Sequence, residues 1–231
     1  MSHRIPVHAW LAAVAASCLA LGAQPKLPAA IIVGSAGLPP ESGIMAATDL
    51  VAAHYVAPGI DIVLKCLTHR VIPGTVARGS AGPNEVASFA TELLGVVTAT
   101  TPSGSFTDAI LQAFGQTTTV SFGWPSSLPA EVPIEMVSMS LTSVLPIGGI
   151  LLRESPTLAS QGKADVEVAV SGFRISSFFD VFTELSLDGG ASWIPAQGPT
   201  HIELMAAPPP WVPEPSSVAT WCLLALWGAG Y

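Results

Sequence analysis

The chain has 231 residues, half of them hydrophobic and a tenth charged, with 16 Asp and Glu against 8 Lys and Arg and a net charge of −8. Once two apolar ends are set aside, that length supports one core of moderate size and leaves too little for a second. So few cations cannot build a continuous basic surface, which argues against nucleic acid as a partner.

Residues 1–23 have the layout of a secretory signal peptide, with Arg4 as the only formal positive charge before an apolar run over 7–21 and the small residues Gly22 and Ala23. Secretion machinery is the partner this implies. Residues 31–204 are expected to form one β-rich extracytoplasmic domain. Within it, 44–55 carries the helix-compatible Ala46, Leu50 and Ala52, and 105–114 opens on Ser105 as a candidate cap; both are helical alternatives. Strands are expected at 60–72, 86–100, 117–124, 133–144, 164–170, 173–187 and 201–205, separated by Gly, Pro and Ser breaks. The cleanest alternation is at 164–170, with Val166, Val168 and Val170 on one face and Asp165 and Glu167 on the other. The fold class expected is mainly β, an antiparallel sandwich or open barrel, with apolar helical segments at both termini.

Ser186, Asp188, Gly190 and Trp193 fit the spacing S-x-D-x-G-x-x-W. Physically this is a hairpin-turn device: Ser and Asp oxygens accept backbone N–H groups, Gly supplies positive φ, and Trp packs under the returning strand. The string resembles the Asp-box of sialidases and related propellers, where it recurs in several blades away from the chemistry. It occurs once here, so a structural turn is the reading.

Asp180, Glu184 and Asp188 fall on one face of a continuous strand. Such a row is a candidate cation- or ligand-binding face, or an acid and base for hydrolysis, against the plainer reading of a solvated acidic face. Arg153 and Arg174 are candidate neutralising partners from neighbouring strands. Beyond the leader, His54, His69 and His201 have no paired metal spacing, and neither a G-x-S-x-G elbow nor a phosphate-binding glycine loop occurs. No catalytic residue, metal ligand or cofactor is therefore expected. Of Cys18, Cys66 and Cys222, only Cys66 lies in the expected domain, which predicts no disulfide within it and a buried apolar role for Cys66.

Residues 205–217 read as a stiff Pro-rich linker, because proline fixes φ and cannot enter a helix interior. An uncharged hydrophobic tail, 218–231, follows it. Pro213-Glu214-Pro215 ahead of that tail resembles the PEP-CTERM sorting signal of certain bacteria, in a degenerate form, since no Lys or Arg follows Arg174. Residues 135–204 also resemble a recurrent domain of uncharacterised PEP-CTERM proteins. The resemblance implies an exosortase-like transpeptidase as partner and a location at the cell surface or outside the cell, with the tail as a membrane anchor. It points to a non-catalytic surface or extracellular-matrix protein. Two readings from other classes stay open: a carbohydrate-binding module using Trp124 or Trp193 on extracellular polysaccharide, and a hydrolase using Asp180 and Glu184.

Overall fold

The computed structural model describes residues 30–34, 37–41, 43–123 and 127–205. The expected signal peptide, Pro213-Glu214-Pro215, the apolar tail and Trp124 lie outside them, as do the helical segments expected at both termini. The described residues contain fourteen strands in one sheet and no helix. They are β1 (Ile31–Val33), β2 (Ile44–Ala47), β3 (Val51–Ala57), β4 (Ile60–Val71), β5 (Ala77–Ala81), β6 (Asn84–Thr101) and β7 (Gly104–Ser121). In the second half come β8 (Ala130–Leu145), β9 (Gly148–Glu154), β10 (Ser160–Ala169), β11 (Gly172–Val181), β12 (Thr183–Ser186), β13 (Ile194–Pro195) and β14 (Thr200–Met205).

All pairings are antiparallel, and they close into a ring. From β8 the hydrogen-bonded order runs through β10, β11, β14, β2, β4, β6 and β7 back to β8, an eight-stranded barrel. Several staves are interrupted rather than single. β2 and β3 both lie antiparallel along β4, β9 and β10 both along β8, and β12 continues β11 after Phe182. The breaks are stitched by backbone bonds: Ser155 N donates to Phe182 O (2.8 Å), and Gln197 N to His54 O (2.9 Å). A Tyr55–Ala196 bridge extends the β14–β2 seam at the β3 end. Every stave therefore pairs with the next one in sequence, an up-and-down barrel with no exposed edge around the ring.

This outcome refines the expected fold. The chain is mainly β, but the sheet closes on itself, so neither a two-sheet sandwich nor an open barrel describes it. The helical alternatives are corrected. Residues 44–55 form β2 and most of β3, and 105–114 lie within β7. Their Ala- and Leu-containing stretches are good helix formers, but in this position they pair with β4, β14 and β6, and ring closure overrides a weak local preference.

The core fills the barrel. Ile62, Leu64, Val97, Leu111, Val132, Leu141, Val166, Ile175 and Leu185 come from staves all around the ring and are at most 1 % exposed. Outside, Ser88, Gln116, Ser138, Ser140 and Thr142 face solvent, interspersed with single apolar side chains such as Phe114 and Val144. An apolar inside with a polar outside is the reverse of a transmembrane barrel, whose lipid face is apolar and whose lumen is polar. An interior this full matches the general size of an eight-stranded barrel, just wide enough for side chains to occupy.

The alternation at 164–170 is only partly a core face. Val166 is fully buried, whereas Val168 is 69 % exposed and Val170 is bare. The β10–β11 hairpin turns at Ala169–Gly172, just past the Val168–Phe173 pair, and Val170 lies in the turn itself.

Bulges decide which residues reach the interior. Between Lys65 and Thr68 the β4–β6 register shifts, with Cys66 at φ 50. The inward set therefore changes phase from Ile62 and Leu64 to Leu67, His69 and Val71. In β8, Ser138 pairs with Thr118 but Met136 pairs with Thr119, so Val137 is the extra residue and both Met136 and Met139 point inward. Cys66 is half-buried and disulfide-bonded, which corrects its expected role as an unpaired apolar core residue.

Candidate functional site

The face expected from Asp180, Glu184 and Asp188 is divided. Asp180, in β11, sits beside His201 of β14: Nδ1 of His201 donates to Asp180 Oδ1 at 2.7 Å, while its Nε2 lies 3.3 Å from Glu203 Oε1. Partial burial pushes His201 down, but the hydrogen bonds and charges of Asp180 and Glu203 outweigh it and hold its pKa above the ordinary value. The ring also leans on Phe178, with centroids 5.3 Å apart.

Glu184, in β12, belongs to a different group. Arg153 of β9 reaches it through Nε (2.9 Å) and an Nη nitrogen (2.6 Å), both on Oε2, and Ser155 Oγ donates to Oε1 at 3.1 Å. Glu184 is only 9 % exposed, so this pair is largely removed from water. The same guanidinium lies 3.9 Å from the centre of the Trp193 ring and covers one face of it. Of the two arginines suggested by sequence, Arg153 meets Glu184, whereas the residue hydrogen-bonded to Asp180 is His201.

Asp188 is part of the turn. Ser186 Oγ donates to Asp188 Oδ1 (2.8 Å) and accepts from Gly190 N (2.9 Å). Asp188 in turn accepts Ser192 N (2.9 Å) and Ser192 Oγ (2.5 Å), and Trp193 Nε1 donates to Gly190 O (3.1 Å). The bonds from Ser192 and then Ser186 stabilise the carboxylate and hold the Asp188 pKa at about 2. Gly189 and Gly190 have φ 72 and 95, the left-handed values the turn needs.

Next to Glu184, Glu154 is 9 % exposed and accepts from Ser160 Oγ at 3.1 Å. Burial drives its pKa up to about 7, opposed by the Ser160 bond and reinforced by the charges of Glu135 and Glu184. Between about pH 4.5 and 7 the folded protein holds a proton here that the unfolded chain releases, so stability falls as pH rises through that window. His69 acts in the opposite sense. Burial lowers it to about 4, so stability falls on acidification from 6.5, where the unfolded chain takes up the proton. Each group contributes a slope of at most ~1.4 kcal/mol per pH unit, and where the two windows overlap, between about pH 4.5 and 6.5, they offset. Glu154→Gln removes one of them. Urea melts of that variant are expected to gain stability over the parent at pH 8 and to weaken between pH 6.5 and 4.5. Curves that stay parallel to the parent would show Glu154 ionising as it does in water.

The barrel interior holds a second polar group that sequence spacing did not single out. His69 Nε2 lies 2.6 Å from Thr91 Oγ1 and 3.4 Å from Thr117 Oγ1, and Tyr55 OH lies 2.6 Å from Thr183 Oγ1. Tyr55 has no exposed surface, and burial raises its pKa despite the Thr183 bond. Together with Met136 and Met139, the side chains of His69, Tyr55 and Thr183 line a hollow of about 30 Å³. The legible signal is the change of phase in 60–72, which turns His69 to the Leu67 side of the strand. Among the described residues no group of His, Cys, Asp and Glu is arranged to hold a metal. In comparisons with protein-family models, curated proteins and solved structures, nothing matches this chain.

Proposed function

We propose that this chain is an exported, non-catalytic barrel protein of the cell envelope. A secretory leader delivers it, and a degenerate PEP-CTERM-like signal at Pro213-Glu214-Pro215 hands it to an exosortase-like transpeptidase. The observation that carries the non-catalytic part is the filled interior: a hollow of about 30 Å³ has room for a water or two, far below the ~300 Å³ at which small-molecule pockets begin. Outside, the carboxylates that an acid–base reading needs are engaged separately, Asp180 with His201 and Glu184 with Arg153. A structural barrel displayed in a surface coat or matrix makes use of closure, packing and a polar exterior, and all three are present.

The test is fractionation of native host cells with mass spectrometry of the mature termini. A chain recovered from the envelope or medium, starting near residue 24 and cut close to Pro213-Glu214-Pro215, supports the proposal. Full-length protein confined to the cytosol defeats it.

A further inference from the structure

The disulfide at Cys66 has a consequence that the proposed function does not use. Cys66 is half-buried in the β4 bulge between Lys65 and Thr68 and is disulfide-bonded. The sequence holds two other cysteines, Cys18 and Cys222, so the bond joins the barrel wall to one end of the chain. With a hollow of about 30 Å³ the interior has no room for another segment, and the second sulfur therefore approaches from outside the ring. Chain length permits this for Cys222. Met205 pairs with Ile44 of β2, and the neighbouring Met45 pairs with His69 of β4. The end of β14 is thus two strand spacings from β4, ~10 Å, and a further ~13 Å along β4 from Cys66. The 16 residues between Met205 and Cys222 extend up to ~55 Å, so Cys222 reaches Cys66 with slack.

We propose that the partner of Cys66 is Cys222, so that the apolar tail is covalently fastened to the outer wall of the barrel. This rests on removal of the leader in the proposed function: Cys18 leaves with residues 1–23, and Cys222 is then the one cysteine left to meet Cys66 within a chain. The surroundings suit the pairing. Cys66 N donates to Leu50 O (3.1 Å), and Leu50 is 63 % exposed while Val51, across from Lys65, is 51 % exposed. Cys222 lies between Trp221 and Leu223 in a segment without charge, so apolar surface meets apolar surface around the bond. The bond forms in the oxidising space beyond the cytoplasm by exchange with the disulfide of a carrier protein. One cysteine thiolate attacks the carrier disulfide, and the other displaces the carrier from the mixed disulfide. The two electrons and two protons of the thiols end on the carrier, which leaves as a dithiol. A cut near Pro213-Glu214-Pro215 then severs the backbone without releasing the tail, which stays attached until a dithiol reductant takes the bond apart.

The experiment recovers the protein from native host cells without reductant, alkylates it in urea so that every free thiol is labelled, and maps its peptides by mass spectrometry. A peptide pair joined through Cys66 and Cys222 is expected, with no label on Cys66. A chain cut near Pro213-Glu214-Pro215 is expected to keep the mass of its tail until dithiothreitol removes it. In Cys222→Ser the joined pair is lost and Cys66 takes the label, with the fold retained by circular dichroism, whereas Cys18→Ser leaves the map unchanged. An exported parent in which Cys66 is labelled, or joined to Cys66 of a second copy, overturns the proposal while export stands. Full-length protein confined to the cytosol defeats the export reading by itself. The same map after equilibration with glutathione disulfide then decides the bond: Cys66 joined to Cys222 upholds it, and Cys66 joined to Cys18 or still labelled overturns it. If Cys222→Ser fails to fold, the map of the parent decides alone.

Discussion

Replacing Gly115 by alanine is expected to cost more stability than any other single methyl added to the barrel wall, at least about 3 kcal/mol in urea denaturation. A Cβ at this position of β7 would lie 1.8 Å from the carbonyl oxygen of Ser140 and 2.9 Å from Leu141 Cα, both in β8. These are backbone atoms of a paired strand, so no side-chain rotation relieves the overlap. β7 and β8 must separate where Gly115 pairs with Leu141, beside the Thr117–Met139 pair. Gly162 has the same relation to Phe178, with a Cβ meeting its carbonyl oxygen at 2.1 Å. Glycines at such places let a strongly curved wall bend without a side chain in the fold of the bend. Gly149→Ala is the matched control: its Cβ meets nothing within 4 Å and its φ is not in the left-handed region. That variant should stay within about 0.5 kcal/mol of the parent. Equal stabilities for the two alanine variants would mean that β7 and β8 do not approach as described.

The second large effect is expected at Arg153. Changing it to methionine keeps much of the stem that lies along the wall but removes both donors to Glu184, leaving that carboxylate with Ser155 alone and close to the buried Glu154. Breaking a buried pair from one side typically costs ~3–5 kcal/mol, because a charge stays behind without its partner. Arg153 retains 34 % side-chain exposure, so the loss here is expected at about 2–3 kcal/mol. The double variant Arg153→Met/Glu184→Leu should recover most of it, since removing both charges also removes the desolvation cost. A thermodynamic cycle over the four proteins measures the coupling. A single variant within about 0.5 kcal/mol of the parent, with no recovery in the double, would show the pair to be solvated.

The parts of the fold legible in the sequence are those set by neighbours in the chain. Phe179 and Val181 flank the polar Asp180, and the strand holding them falls within the stretch where the pattern puts it. The turn from Ser186 to Trp193 is legible for the same reason, as its bonds span at most four residues. What resists reading depends on distant pairing. The seam joins β2 to β14 across most of the chain, and there Ala46 pairs with Glu203 as strand. Likewise Asp180 and Glu184 share a face by parity, but what each does is set by His201, 21 residues away, and Arg153, 31 away. His69, Met136 and Met139 meet only because two bulges change the phase of β4 and β8. A bulge leaves a weak trace in sequence, a doubled step in an alternating pattern.

Closure of the ring is what makes the interior a core rather than one side of a sheet, and the β2–β14 seam tests it most directly. Interstrand proton contacts by NMR on isotope-labelled protein are expected between Met45 and Leu204 and between Ala47 and Ile202, the partners across that seam. Their amides should exchange as slowly as those of β6 and β7. If those contacts are absent while the neighbouring β11–β14 and β2–β4 pairs persist, the sheet is open there. An open seam would expose Ile62, Tyr55 and their neighbours and contradict a filled, closed barrel.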